Sequence, residues 1–174
     1  MQKIALPLLA LTIFAAFIAA PAAASHCYAP EQVRAERLLR LHSELMVITV
    51  TCRQSSEGRD LVSAYTGFTR KNIAALREAE RALIAYYADA YGGRGTDRFD
   101  TLRTKLANEY GQQSADESAP TFCANRRDKV IAMFDAPPAD VAEESLHTYA
   151  SARTYAPSCG DDIKVAQATS RKKK

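Results

Sequence analysis

Residues 30–52 read PEQVRAERLLRLHSELMVITVTC, and this stretch decides the fold of the chain. Its apolar residues recur at spacings of three and four, as one face of an α-helix requires; they are Val33, Leu38, Leu39, Leu45, Met46 and Val50. Pro30 suits the first turn of a helix, where its missing N–H would have no partner. The β-branched run at residues 47–51 would also suit a strand. The apolar stripe continues into that run, so we predict one helix that ends at residues 52–53.

The same periodicity predicts four further helical segments. Asp60 is an N-cap candidate for a long helix that runs to Tyr91, and the following glycine pair stops it. The predicted helices cover residues 30–53, 60–91, 96–110, 120–136 and 139–153, with a polar, helix-breaking stretch at residues 111–119. The apolar–polar alternation of half-buried strands is missing. The predicted fold is therefore all-α, a disulfide-braced antiparallel bundle of four to five helices.

The first 24 residues have the layout of a secretory signal peptide. Lys3 precedes an apolar run at residues 4–20, and three alanines at residues 22–24 offer a cleavage site before Ser25. An uncleaved membrane anchor is the alternative, although the apolar run is at the short limit for a spanning helix. A lipoprotein is disfavoured because His26, not a small residue, precedes Cys27. We therefore predict a signal peptide at residues 1–24, and a secreted or periplasmic protein.

The remaining chain has the length of one domain. We predict a single helical domain at residues 25–165 and a flexible basic tail at residues 166–174, which ends in Arg171–Lys174. The whole sequence has 23 Lys and Arg against 20 Asp and Glu. Much of the positive excess lies in this tail, which could meet an anionic surface or simply be solvated. Basic and acidic residues alternate elsewhere, so nucleic acid is not an expected partner. No transmembrane segment is expected after signal cleavage.

The four cysteines, Cys27, Cys52, Cys123 and Cys159, are expected to form disulfides in an oxidising compartment. Four cysteines permit three connectivities. If consecutive helices are antiparallel, the end of the first helix and the start of the fourth lie at one pole, which favours Cys52–Cys123. Cys27–Cys159 follows by elimination. Free thiols or a metal site remain the alternative, but no pair has the spacing of a zinc ligand motif.

Several polar residues are candidates for a ligand site or a polar core. His42 and Asn72 fall on the apolar faces of the first two predicted helices, and Arg94 and Arg98 flank the start of the third, where a small anion could bind. A structural role is the simpler interpretation of His42 and Asn72. The glycine-rich residues 92–96 lack the lysine of a phosphate-binding loop.

A metal site and a cofactor are not expected from the sequence. Glu143 or Glu144 with His147 has the spacing of one half of a di-iron motif, but a second copy is missing. Motifs for covalent haem, zinc proteases and serine hydrolases are also missing. The sequence therefore predicts no catalytic residue.

Three segments resemble secreted, four-cysteine helical proteins of Gram-negative bacteria that have no assigned activity. They are residues 41–46 (LHSELM), residues 99–104 (FDTLRT) and Phe122–Cys123. This resemblance implies a periplasmic address and no particular mechanism.

Three functions are compatible with this sequence. The leading hypothesis is a non-enzymatic periplasmic or secreted protein that binds an envelope macromolecule or a partner protein. The second is a periplasmic inhibitor or immunity protein. The third is a lysozyme-like envelope hydrolase that uses acids such as Glu44, Glu109 or Asp100, which would require two carboxylates across a cleft.

Overall fold

The computed structural model describes residues 26–54 and 60–159, and the regular structure within them is helical. The six helices of this part of the chain are α1 (Pro30–Cys52), α2 (Leu61–Lys71), α3 (Ile73–Ala90), α4 (Gly95–Glu117), α5 (Ala119–Asp135) and α6 (Pro138–Thr148). The predicted all-α class is confirmed. The predicted number of four to five helices is wrong, because one predicted helix is divided in two. The predicted signal peptide and basic tail lie outside the described residues.

Helix α1 is the centre of the molecule, because it contacts each of the other five helices. Side chains from all six helices join one hydrophobic core, in which Leu41 and Ile48 of α1 meet Phe68, Phe99 and Phe122. A helix surrounded in this way is buried on more than one face. The single apolar stripe predicted for α1 therefore understates how much of this helix is enclosed.

The predicted helix at residues 60–91 is interrupted at Asn72. Its N-cap is as predicted, since the Asp60 carboxylate accepts hydrogen bonds from the backbone N–H groups of Val62 and Ser63. At Asn72, both the backbone N–H and the side-chain amide donate to the Phe68 carbonyl, at 3.0 and 2.9 Å. Asparagine side chains compete with the helical backbone in this way. The chain leaves helical geometry for this one residue and resumes it at Ile73.

Helix α4 continues through most of the stretch that was predicted to break it, and it ends at Glu117. Contacts with α5 stabilise these extra turns. The Arg126 guanidinium forms hydrogen bonds of 2.7 and 2.9 Å with the Glu117 carboxylate, and it donates to the Gln113 side chain at 3.1 Å. Ser118, with a φ of 68°, then turns the chain into α5. Polar sequence did not prevent a helix here because tertiary ion pairing supports it.

The last helix ends earlier than predicted, and the chain from Tyr149 to Cys159 returns across α1 without regular structure. We call residues 149–159 the C-terminal strap. Backbone hydrogen bonds tie it to the N-terminus: Tyr28 N–H donates to Pro157, and Cys159 N–H donates to Tyr28, at 2.7 and 2.8 Å. The C-terminal end of the strap is therefore anchored to the N-terminus of the domain.

Two disulfides link Cys27 to Cys159 and Cys52 to Cys123, with Cα–Cα distances of 5.0 and 5.5 Å. This is the connectivity that the helix order favoured, and it is compatible with a secreted or periplasmic protein. The first bridge fixes the strap to the start of α1, and the second fixes the end of α1 to α5. In the described ranges, no helix is both long and apolar enough to cross a bilayer.

Candidate functional site

Helix α1 carries a row of buried charged residues that the sequence analysis did not single out. Glu36, Arg40 and Glu44 are four residues apart, so they lie above one another on one side of the helix. They are only 0, 4 and 8% exposed. Buried charges are rare unless they are paired. The hydrogen-bond and ion-pair partners of these three residues therefore indicate their role in the fold.

Arg40 is the centre of the first group of partners. Its Nη1 atom lies 2.8 Å from both carboxylate oxygens of Glu109, and its Nη2 lies 3.4 Å from Glu36 Oε1. The same Nη2 donates to the Arg153 carbonyl of the strap at 3.2 Å. Burial opposes the charge of Arg40, but hydrogen bonds and attraction from Glu109 outweigh it and raise the pKa of the guanidinium.

Glu36 holds the strap from the other side. Its carboxylate accepts the backbone N–H of Tyr155 at 3.1 Å. Burial raises the pKa of Glu36, although the Tyr155 N–H and Arg40 oppose this effect. Glu36 and Arg40 together fix the backbone on both sides of residue 154, and so they set the position of the Tyr155 side chain.

Glu44 belongs to a second group near α5 and α6. The Tyr149 hydroxyl donates to its carboxylate, and Lys129 Nζ lies 3.5 Å from the same oxygen. Burial, together with the Glu44 charge, raises the pKa of the Tyr149 phenol. Tyr110 hydrogen-bonds Tyr149, and burial raises the Tyr110 pKa to about 12. Both phenols therefore remain neutral, and Glu44 is bound to Tyr149 and Lys129 within the domain.

A small pocket of about 100 Å³ lies at the C-terminal end of α3, between α3, α4 and the strap. Its lining residues are Tyr87, Tyr91, Arg98, Thr101, Leu102, Lys105 and Tyr155. Tyr87 and Leu102 are buried, and the other five are exposed. We call this site the tyrosine–cation pocket after four of its exposed residues, Tyr91, Arg98, Lys105 and Tyr155. Because Glu36 and Arg40 position Tyr155, the buried row on α1 supports one wall of this pocket.

Each cation of the pocket lies over a tyrosine ring. The Arg98 guanidinium carbon is 4.6 Å from the ring centre of Tyr91, and Lys105 Nζ is 5.4 Å from that of Tyr155. Arg40 also lies over the Tyr155 ring, with its guanidinium carbon 5.5 Å from the ring centre. Within the described residues, neither Arg98 nor Lys105 forms an ion pair with a carboxylate.

The structure separates the two arginines that the sequence grouped. Arg98 lines the pocket, whereas Arg94 forms an exposed ion pair with Asp97 at 3.4 Å and lies outside the lining. Gly92 and Gly93 adopt positive φ angles of 64° and 86°, and Gly93 N–H donates to the Ala88 carbonyl. These glycines close the C-terminal end of α3.

His42 and Asn72 lie away from this pocket. His42 Nε2 is 2.8 Å from the Tyr65 hydroxyl and 3.3 Å from the Thr69 hydroxyl, and its ring stacks on Tyr65. Burial, with a smaller contribution from Arg103, lowers the pKa of His42 to about 4. Asn72 is 2% exposed and forms the break between α2 and α3.

The acids considered for hydrolysis do not meet across one cleft in the described part of the chain. Glu44 and Glu109 have the internal partners given above, and Asp100 is exposed. Of the possible metal ligands on α6, Glu143 and His147 are exposed, and the Thr148 hydroxyl donates to Glu144. In residues 26–54 and 60–159, no cluster of three His, Cys, Asp or Glu side chains is placed to hold a metal ion.

A second, larger concavity of about 350 Å³ lies between α1, α3 and α6. Alanines from all three helices line it, namely Ala35, Ala75, Ala79, Ala82 and Ala142, and we call it the alanine groove. Glu31 and Glu78 also line it, and both are exposed. The sequence analysis did not consider these two glutamates together, because their presence in one groove depends on how α1 packs on α3.

Sequence reasoning identified Arg98 but missed the other members of the tyrosine–cation pocket. Lys105 is seven residues from Arg98, which places both on one face of a helix, and this spacing was a usable signal. Tyr155 gave no such signal, because its position depends on the strap.

Comparison with known proteins gives no relative for this chain: no family model matches it, and no curated protein or solved structure is significantly similar to it.

Proposed function

We propose that this chain is a non-enzymatic binding protein of the periplasm or the extracellular space, and that its ligand is a component of the cell envelope. The signal-peptide pattern at residues 1–24 supports the export of the protein. The two disulfides are compatible with an oxidising compartment.

One observation carries the binding role. The buried charges on α1 hold the strap, and the strap presents Tyr155 beside two cations that lack carboxylate partners in the described chain. A binding surface that is rigid before the ligand arrives loses less conformational entropy on association. Glu36, Glu44 and Glu109 are engaged inside the domain, which favours a structural use of these acids over a catalytic one.

Co-sedimentation tests this proposal directly. Oxidised protein of residues 25–174 is mixed with purified peptidoglycan sacculi and, separately, with outer-membrane vesicles that contain lipopolysaccharide. We expect saturable retention by one fraction, with the mass profile of that fraction unchanged. Failure of both fractions to retain the protein contradicts the proposal. Accurate mass of the exported protein, compared with that of a chain beginning at Ser25, tests the signal peptide.

An envelope hydrolase is the second candidate, and the alanine groove is the observation that favours it. Glu31 and Glu78 line this groove from two helices. Glycoside hydrolysis requires two carboxylates, one of which stays protonated in an apolar setting. Both side chains are exposed, which disfavours that role. Release of soluble fragments from sacculi by the wild type, and loss of that release in E31Q or E78Q, would favour the hydrolase over the binding protein.

A further inference from the structure

We propose that the tyrosine–cation pocket binds a sugar residue that carries a phosphate or carboxylate group. This inference rests on the proposed binding function and names the chemistry of its ligand. Arg98 and Lys105 contact the anionic group, and the rings of Tyr91 and Tyr155 contact the sugar.

The two cations provide the anion specificity. Arg98 and Lys105 are two helical turns apart on the same face of α4, with Thr101 between them in the lining. A guanidinium stacked on an aromatic ring keeps its N–H donors directed outward in its own plane, where they match phosphate or carboxylate oxygens. Of the carboxylates along α4, Asp97 pairs with Arg94 and Glu109 pairs with Arg40, whereas Asp100 lies between Arg98 and Lys105 in sequence. In the described part of the chain, neither Arg98 nor Lys105 forms an ion pair with any of these carboxylates, so both charges are available to an anionic group.

The two tyrosines provide the sugar-binding surfaces. Tyr91 and Tyr155 are 47 and 41% exposed, although tyrosine usually buries most of its ring. They belong to elements far apart in sequence, and both line this pocket. Cations lie over part of each ring, and the exposed remainder of each ring offers apolar C–H surface with a polar hydroxyl edge. The C–H face and hydroxyl groups of a sugar ring complement such a surface.

The pocket volume limits the size of the ligand group. The pocket has a volume of about 100 Å³. Pockets for whole drug-sized ligands start at about 300 Å³. The pocket therefore accepts one charged substituent and part of one ring, while the rest of a longer glycan lies on the exposed rings of Tyr91 and Tyr155.

A nucleic acid also combines phosphates with flat rings, but the charges around the pocket disfavour it. Proteins that bind single strands follow the backbone with an extended positive groove. On α4, the acidic residues Asp97, Asp100 and Glu109 lie before, between and after Arg98 and Lys105. Two cations recognise one anionic group rather than a chain of phosphates.

Binding of small probes tests the proposal. Oxidised protein of residues 25–174 is titrated with glucose 6-phosphate, galacturonic acid, glucose, inorganic phosphate and a short single-stranded oligonucleotide, with NMR detection of the Tyr91 and Tyr155 ring protons. We expect glucose 6-phosphate or galacturonic acid to bind at least about tenfold more tightly than glucose and inorganic phosphate. The stronger of the two identifies the anion. Equal affinity for inorganic phosphate or for glucose, or tighter binding of the oligonucleotide, overturns the proposal.

Matched variants locate the binding site. R98Q should weaken binding of the stronger sugar about tenfold, because a charge-assisted hydrogen bond is lost. Y155A should weaken it about fivefold through loss of the aromatic contact, while its backbone N–H remains available to Glu36. R94Q removes the same charge from a residue outside the lining, and we expect an effect below about twofold. Equal weakening by R94Q and R98Q would refute a specific pocket.

Envelope co-sedimentation of the R98Q/K105Q variant separates this inference from the proposed function. If the envelope fraction retains R98Q/K105Q as strongly as it retains the wild type, the pocket is refuted as the binding site, and the proposed function stays in place. If the wild type binds a sugar acid but no envelope fraction retains it, the proposed envelope-binding function is refuted, and the sugar-binding pocket is supported.

Discussion

Replacing His42 with glutamine should make the stability of this protein less sensitive to acid. The imidazole lies between α1 and α2, beside the hydroxyl groups of Tyr65 and Thr69, and burial is the main reason why its pKa falls to about 4. The ordinary pKa of histidine in an unfolded chain is about 6.5. Between these two values, the unfolded protein binds a proton that the folded protein rejects.

The sign and size of the effect follow from this difference. Since the unfolded state binds more protons between pH 4 and 6.5, the free energy of unfolding falls as the pH falls through this range. The full shift corresponds to about 3 kcal/mol, and the part reached between pH 7 and pH 5 is about 2 kcal/mol. Glutamine can still hydrogen-bond Tyr65 and Thr69 but does not titrate, so this contribution disappears in H42Q.

Urea unfolding of the oxidised protein at pH 7 and pH 5 measures this contribution. From pH 7 to pH 5, wild type should lose about 2 kcal/mol more stability than H42Q. H147Q is the matched control, because it makes the same replacement at a histidine that is exposed on α6. Parallel losses in wild type and H42Q, or an NMR titration of the His42 ring with a midpoint above pH 6, would refute the reasoning.

Three further predictions concern packing, the buried acid and the disulfides. G95A should destabilise the protein by about 1–3 kcal/mol, because a Cβ at this position would lie 2.4 Å from the Ile84 carbonyl oxygen. G111A is the control, because a Cβ at Gly111 would have no atom within 4 Å. In the same urea assay, G111A should stabilise α4 by about 0.5–1 kcal/mol. E36Q should gain stability relative to wild type as the pH rises from about 4.5 to 7, because the raised pKa of Glu36 makes its ionisation unfavourable in the folded state; a constant difference across this range would contradict it. The C27S/C159S variant loses the disulfide with a sequence separation of 132 residues, and the chain-entropy model predicts a loss of stability of up to about 5 kcal/mol. The control C52S/C123S loses the disulfide with a separation of 71 residues, and the predicted loss is about 4 kcal/mol. Only C27S/C159S should speed hydrogen exchange at the Tyr155 N–H, and equal exchange in both variants would contradict the role of this bridge in holding the strap.

The sequence predicted local features of the fold well. The bounds of α1, the Asp60 cap and the cysteine pairing all follow from periodicity, capping chemistry and helix order, which depend on neighbouring residues or on simple topology. The break at Asn72 was missed because asparagine in a helix is common, and its competition for the Phe68 carbonyl becomes visible only in the structure. The extension of α4 to Glu117 was missed because Arg126, on the next helix, stabilises it.

The candidate site was less predictable from the sequence, because it too depends on contacts between residues that are far apart in the chain. Glutamate and arginine are usually exposed, so nothing in the sequence singled out Glu36 and Arg40 as buried residues of α1. Their burial depends on the strap, which folds back over α1 and has no periodic pattern of its own. Only Arg98 of the tyrosine–cation pocket was identified, because it lies near the start of a predicted helix, where a small anion could bind.

The buried charged residues of α1 are better explained by their effect on the position of the strap than by a contribution to the stability of the fold. A buried ion pair often stabilises a fold no more than apolar residues of similar size would, because both charges lose their hydration. An apolar side chain, however, could hold the strap at several registers. Glu36 accepts only the Tyr155 N–H from the strap backbone, and Arg40 donates to the Arg153 carbonyl, two residues earlier. A one-residue slip of the strap would remove both of these backbone hydrogen bonds and leave Glu36 and Arg40 with their side-chain partners alone. The row therefore specifies one register, and with it the place of Tyr155 beside Lys105.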